Sequence, residues 1–399
     1  MSLTKNEQIK KTLLETRSRR ADMLCCVYEI KVVSGKLSRM KKDHLDSLFR
    51  EAKWLRNSEL AKDDLSRLDR NAKIAEVKVG DKTEVRELTH LGSQMKQDIV
   101  DQLKSDVRGL SVLKSHGYKV GKLKFKSVCN SVPLRQFGCT YRIDFDKNTI
   151  TIQGLKKPLK VRGLNQLSKK VEIANAKLIR KPSGYYFHIT TYVKPKKSKQ
   201  TGNECGIDFG IETNMTLSDG SKFDIFVPET KAVKLASKRM NKAFKRNEEC
   251  KSKNHYKRLK KLQRAYEHQT NIKHDMANKV VHNILSNHDF VAIQDEMIVN
   301  WHHGWFGKQV QHSAMGIIKA KLKNSSKVYV VERSFPSTQI CPVCNLNTKH
   351  DLNERTYKCS HCGYEHLDRD VKSAMMILSE AHNSLEQRTK GLVEFESSD

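Results

Sequence analysis

Acidic residues are scarce in this chain. It carries 45 Asp+Glu against 75 Lys+Arg, a formal charge of +30 with a pI near 9.7. Thirty uncompensated positive charges repel one another in a compact state, and an enzyme of small metabolites has no use for them. A polyanion, either nucleic acid or an anionic membrane face, is what neutralises such a surface. Long apolar runs are missing too: no stretch approaches the ~18 uninterrupted apolar residues of a membrane-spanning helix. The first twenty residues are charged and helix-forming, with no apolar segment leading to a small-residue cleavage site. A secretory signal is excluded, and a cytoplasmic or nuclear protein without membrane partners is expected. Low-complexity blocks and internal repeats are absent, which argues against wholesale disorder. A hydrophobic fraction of 37% is low for one large core but adequate for two or three ordinary domains.

The apolar pattern changes along the chain. Residues 5–22 read as a basic helix, and Cys25 to Val33 as a strand closed by a Ser34-Gly35 turn. From 38 to 115 the spacing is helical, as in His44 to Leu55 and Gln94 to Leu113. Between 116 and 200 short alternating segments such as Tyr141 to Phe145, Thr149 to Ile152 and Tyr185 to Tyr192 predict a small β-barrel or sandwich. A charged linker, Lys194 to Lys199, follows. Beyond it come an apolar strand from Gly206, hairpin strands, a long helical stretch (231–286), a strand Phe290 to Gln294, a helix (308–323), a strand Lys327 to Val331 and a last helix (370–382). That alternation predicts an α/β domain with a mixed sheet.

Of ten cysteines, six are scattered (Cys25, Cys26, Cys129, Cys139, Cys205, Cys250) and read as free thiols of a reducing compartment. The other four form Cys341-Pro-Val-Cys344 and Cys359-Ser-His-Cys362, fourteen residues apart, which is zinc-ribbon spacing. A filled four-thiolate site has no open coordination position, so this zinc is expected to shape a lobe and not to do chemistry. His361, inside the second pair, reads as a bystander.

Three acidic positions stand at strand ends or a helix start of the α/β region. Asp208 interrupts the apolar run Cys205-Gly-Ile-Asp-Phe-Gly210, where a buried charge is costly unless it meets a cation. Sugar-kinase-like ATPases open with a similar strand, but they need a second glycine-rich phosphate loop, and none is present. Asp295 and Glu296 end the Phe290 strand, and Asp368 and Asp370 open the last helix, where either could simply cap it. Carboxylates from three separate elements are what a two-metal phosphodiester hydrolase needs, since two divalent ions about 4 Å apart require bridging oxygens.

Gly206-Ile-Asp-Phe-Gly210, the Gln294-Asp-Glu296 strand end, the Cys341/Cys344 and Cys359/Cys362 ribbon, and Asp368-Arg-Asp370 entering a helix together resemble the split RuvC nuclease, with inserted zinc ribbon, of the TnpB family, the transposon-encoded RNA-guided DNA endonucleases. The miniature type V CRISPR effectors share the layout. The resemblance is specific over about 200–380 and weaker over 25–192. It implies a multidomain α+β protein: an N-terminal helix (1–24), a β-barrel (25–37 and 116–200), a helical recognition domain (38–115), a ribonuclease H-like RuvC domain (201–334 and 366–383), a zinc-ribbon insert (335–365) and a tail (384–399). It implies Asp208, Glu296 and Asp370 as catalytic acids holding two Mg2+, one structural Zn2+ on the four cysteines, and Arg355 reaching the scissile phosphate. The implied partners are a guide RNA and target double-stranded DNA, bound by a monomer in a prokaryotic cytoplasm, at the nucleoid.

Two positions depart from the family pattern. Gln294 stands where a simple alignment puts Glu, which makes Asp295 a rival to Glu296. The third motif, which usually continues into Asn-Ala-Ala, reads Lys372-Ser373-Ala374. Neither departure removes a carboxylate. The stretch 231–285 holds 16 Lys+Arg and 4 Asp+Glu, a net +12, including Lys238, Arg239, Lys257, Arg258, Lys260 and Lys261. That excess on one helical hairpin predicts phosphate contact. Trp54, Tyr118 and Trp301 are candidates for base stacking, with core packing as the alternative. Two other readings stay open: a nuclease-inactive RNA-guided DNA-binding repressor, and a ribonuclease H-class DNA transposase.

Overall fold

The computed structural model of the chain describes residues 4–62, 64–168, 171–195, 200–246, 252–351 and 354–396. Cys250 and Lys196 to Lys199 of the charged linker lie outside the described residues. The chain divides into two units, Met1–Lys196 and Lys197–Asp399. Among the described residues no helix is long and apolar enough to cross a membrane.

In the first unit, seven antiparallel strands form one sheet in the order Ser131–Leu134, Glu172–Lys181, Gly184–Val193, Leu24–Val32, Leu159–Arg162, Thr149–Ile152, Tyr141–Asp144. The hydroxyl of Tyr141, in one edge strand, donates to the Ala174 carbonyl beside the other edge (2.7 Å). The helix Arg39–Leu60 is capped by Ser38 and buries Leu45, Leu48, Phe49, Ala52 and Leu55, a stripe at three- and four-residue spacing. A second helix, Ser93–Ser115, joins the same core through Met95, Ile99, Val100 and Leu103. Between these helices the helical expectation fails locally. Ile74–Val79 and Lys82–Glu87 form a β-hairpin, turned by Gly80 at φ +61°. Its Gly80-Asp81 turn and the alternation in Ile74-Ala-Glu-Val-Lys-Val79 carry a two-residue period that the flanking helices mask.

The second unit is built on a five-stranded sheet in the order Lys222–Phe223, Met215–Leu217, Glu204–Asp208, Phe290–Gln294, Val328–Val331. The first three run antiparallel and the last three parallel. Parallel neighbours need helical crossovers, and Lys253–Asn287 and Met315–Leu322 supply them. Alternation along the central strands sorts side chains between two faces. Cys205, Ile207, Val291 and Ile293 pack with Ala277, Ile284, Met315 and Ile318. Ala292 and Val331 pack with Ile377 and Ala381 of the long helix Arg369–Glu396. The expected helix over 308–323 is instead two, Gly307–His312 and Met315–Leu322. The break falls where Val227 N–H bonds His312 O (2.7 Å) and Ala314 N–H bonds Ile225 O (2.9 Å). The helical stretch expected over 231–286 is the hairpin pair Lys231–Arg246 and Lys253–Asn287.

Gly206 lets the C-terminal helix sit directly on the sheet, since a Cβ there would lie 1.9 Å from the Ala374 carbonyl oxygen. That atom is backbone and cannot swing away. Gly206→Ala is therefore expected to destabilise the second unit by about 3 kcal/mol, read as a lower urea midpoint at unchanged slope. A midpoint within error of the parent would mean that the helix does not press on the strand.

Candidate acid site and zinc ribbon

Asp208 ends Glu204–Asp208, the central strand of the second unit's sheet, and sits two residues beyond Gly206, on the face covered by the C-terminal helix. Its carboxyl is held well above the ordinary range, first by burial, then by the negative charges of Glu296 and Asp370. The Ser373 hydroxyl, 3.3 Å from Oδ1, works the other way. The structure thus brings Asp208, Glu296 and Asp370 into one electrostatic neighbourhood.

The pair at the end of the Phe290–Gln294 strand divides by partner. Asp295 faces cations: Lys323 bonds its carboxylate, Arg333 approaches to 3.4 Å and Lys319 to 3.9 Å. The Lys323 bond, against burial, keeps it below the usual carboxylate value. Glu296 has the opposite setting. Burial pushes its carboxyl up to about 7 against the opposing charge of Lys319, which bonds the Glu296 backbone carbonyl, and its Oε2 is buried with no hydrogen-bond partner. A buried carboxylate oxygen without a partner is one that a bound cation would satisfy. Gln294 uses its amide as a donor: Nε2 bonds the carbonyls of Glu332 (3.2 Å), Arg333 (3.3 Å) and Phe335 (2.6 Å), while Oε1 accepts from Ser337 (3.1 Å). A glutamate here would set a carboxylate against three carbonyl oxygens, so this position holds a loop and offers no metal ligand.

The two acids that open the last helix divide in the same way. Asp368 caps it, Oδ1 accepting from the N–H groups of Asp370 (3.0 Å) and Val371 (3.2 Å), and it is paired with Lys222. Asp370 follows in the first turn of that helix. Arg355 lies 3.9 Å from Asp370 and also pairs with Glu212, so it reaches the acid neighbourhood from the ribbon.

All four cysteines of the ribbon converge, with ligand atoms within 4.8 Å of one another. Cys341 and Cys362 sulfurs are 3.5 Å apart, and Cys344 and Cys359 3.6 Å. A tetrahedral zinc with Zn–S near 2.3 Å demands about 3.8 Å. Backbone N–H groups of Cys362 and His361 point at the Cys359 sulfur and favour its thiolate, the form that binds metal. The ring Nε2 of His361 is 3.3 Å from the Asn347 carbonyl, on backbone and not in the sulfur cluster. Among the described residues, this is the only group of three or more possible ligands drawn so close, and the three carboxylates are not closed to that spacing.

The six basic residues Lys238, Arg239, Lys257, Arg258, Lys260 and Lys261 are all exposed on the two packed helices. Of the aromatics singled out, Trp301 packs against the second unit's core and Trp54 lies under the Arg86 guanidinium (4.8 Å), while Tyr118 is exposed. The aromatic that sequence reasoning missed is Trp305, fully exposed in the turn between the short helices Ile298–Trp301 and Gly307–His312. Its setting beside two histidines and two glycines gave no periodic signal.

The fold and site define a class: an α/β protein with acids at the strand ends and a four-cysteine ribbon set between its last strand and last helix. Two family models match within it. Residues 187–300 match OrfB_IS605, described as "Probable transposase", and residues 314–377 match the Cas12f1-like TNB domain. With the cysteine cluster, these two matches support a likeness to TnpB-type proteins over residues 187–377. Among solved structures, a Cas12f1-sgRNA-target DNA complex is similar at TM-score 0.47 and 12% identity, over 92% of this chain and 86% of that one. No curated protein matches.

Proposed function

We propose that the protein is an RNA-guided DNA endonuclease of the TnpB type, whose second unit is a RuvC-like nuclease cutting target DNA beside a short flanking motif. The observation that carries this reading is the acid neighbourhood: three carboxylates from two strand ends and a helix start, with a buried Glu296 oxygen that has no partner. Asp208, Glu296 and Asp370 would hold two Mg2+, and Asp295 and Asp368 would not, because cations and helix N–H groups already occupy them. Once bound, such ions supply the Lewis acidity that activates water and stabilises the leaving oxygen.

The chain's own residues do the placing. Ser373 steers Asp208, Asp368 fixes the helix end that presents Asp370, and Arg355 waits beside Asp370 for the scissile phosphate. The basic pair of helices, net +12 over 231–285, offers phosphate contacts for a guide RNA or its hybrid with DNA. Base pairing would then supply sequence recognition.

The test is to purify the protein, sequence the RNA that comes with it, and challenge a plasmid library of randomised flanking motifs with Mg2+ and a reprogrammed guide. A discrete RNA ending in a variable guide, with cleavage that follows the guide, is expected. Cleavage or strand transfer with no bound RNA would favour the transposase that the OrfB_IS605 description names. RNA-directed binding without cutting would leave the repressor.

A further inference from the structure

Lys372 is fully buried in the second turn of the C-terminal helix, two residues past Asp370. A lysine ammonium has three protons to satisfy, and burial makes each one costly to leave open. Here all three are met, and none by a carboxylate. Nζ donates to the Ser337 and Thr338 carbonyls at 3.0 Å each, and the Tyr357 ring centroid lies 3.9 Å away. Every one of these partners belongs to the ribbon or its root. Tyr357 itself is wholly buried with Cys341 and Cys359. A tetrathiolate around Zn2+ carries a formal charge of about −2, so the ribbon supplies counter-charge to the buried ammonium, and Asp208 adds to it from the acid side.

The next residue runs the other way. Ser373 Oγ lies 2.9 Å from Ser337 Oγ and 3.3 Å from Asp208, and Ser337 bonds Gln294. Ser337 is thus gripped from both sides, its carbonyl by Lys372 and its hydroxyl in the line that reaches Asp208. These two residues are also where the chain departs from the Asn-Ala pattern at the third motif.

We propose that Lys372 is a positioning residue through which the filled zinc ribbon fixes the acid site, holding the Ser337 root and the first turns of the C-terminal helix in one register so that Asp208 and Asp370 are set for divalent ions. The inference rests on the acid-site reading above. Zinc occupancy then regulates divalent-ion affinity at a site that contains none of its ligands.

The test uses full-length protein and Mn2+ alone, with free Mn2+ measured by electron paramagnetic resonance and the Asp208→Asn variant defining Asp208-dependent binding. Stripping zinc from the parent protein is expected to raise the Mn2+ half-saturation by about tenfold or more, the usual cost of losing support behind metal ligands. Lys372→Met with zinc in place is expected to show the same rise, and stripping zinc from it less than about twofold more. Tyr357→Leu, which removes the ring face together with the hydroxyl's bond to the Gln339 carbonyl (3.1 Å), is expected to shift half-saturation in the same direction. If Lys372→Met does not retain one zinc per chain, Tyr357→Leu and the stripped parent decide. An unchanged half-saturation on zinc removal, or effects of stripping and substitution that simply multiply, overturns the coupling while leaving the nuclease reading intact. A parent protein with no Asp208-dependent Mn2+ binding removes the acid site, and the coupling falls with it.

Discussion

Asp208→Ala is expected to lower DNA cleavage by about a thousandfold or more, because several kcal/mol of transition-state stabilisation are lost when a shared metal ligand is deleted. The same chemistry predicts a gain elsewhere. Burial and the charges of Glu296 and Asp370 raise the Asp208 carboxyl in the fold, and burial raises Glu296 to about 7. For an acid whose folded value lies above its unfolded one, ionisation favours the unfolded chain. For Glu296, stability therefore falls as pH climbs from about 4.5 to about 7, by roughly 3 kcal/mol at the limit.

Glu296→Gln removes that penalty while keeping the shape of the side chain. In metal-free protein it is expected to raise the melting temperature of the second unit by about 6–12 °C at pH 8, with little change at pH 4, while cleavage with Mg2+ collapses. Calorimetry at the two pH values reads the first effect and a plasmid assay the second. If Glu296→Gln melts lower than the parent at pH 8, the carboxylate is satisfied within the fold and is not waiting for an ion. Cleavage surviving Asp208→Ala would remove the acid site altogether.

What was legible in the sequence tracks local signals. The cysteine spacing, the Asp208 strand and the helix after Asp370 are short-range patterns, and the structure places them as a thiolate cluster, a strand end and a helix start. The ambiguous pairs were not legible. Asp295 and Glu296 are adjacent and chemically alike, and burial of Glu296 together with the positions of Lys323 and Arg333 beside Asp295 tells them apart. Asp368 and Asp370 likewise share a capping preference until the N–H groups of Asp370 and Val371 are seen on Asp368. Gln294 stands where a simple alignment puts Glu, and the three carbonyl partners that explain it lie about forty residues away in sequence, beyond any periodicity. The hairpin at 74–87 was missed because two long amphipathic helices flank it and a wide window averages its period away.

Removing zinc is expected to be the most disruptive single change short of deleting an acid. The ribbon's own buried cluster is Cys341, Tyr357 and Cys359, with Cys344 and Tyr364 partly buried against it, and its sheet is a two-residue ladder, Tyr357–Lys358 with Glu365–His366. So little apolar surface cannot order a lobe of this length, and units below about 40 residues usually need a metal or disulfides. Structural zinc contributes on the order of 10–16 kcal/mol in comparable small sites, so the ion is the core. Cys359→Ser, or chelation at neutral pH, is expected to expose amides 339–366 to rapid hydrogen exchange and to lower cleavage by about a hundredfold or more. The strands Glu204–Asp208 and Phe290–Gln294 should keep their protection, since their packing on Ile284, Met315 and Ile318 does not involve the ribbon. Exchange mass spectrometry resolves the two segments in one experiment, and metal analysis should find one zinc per chain before treatment and none after. Ribbon amides that stay protected without zinc would mean that the apolar cluster suffices and the thiolates are redundant. Protection lost in both segments together would mean that the ribbon and the sheet fold as one cooperative unit, with zinc holding the whole second unit and not just its insert.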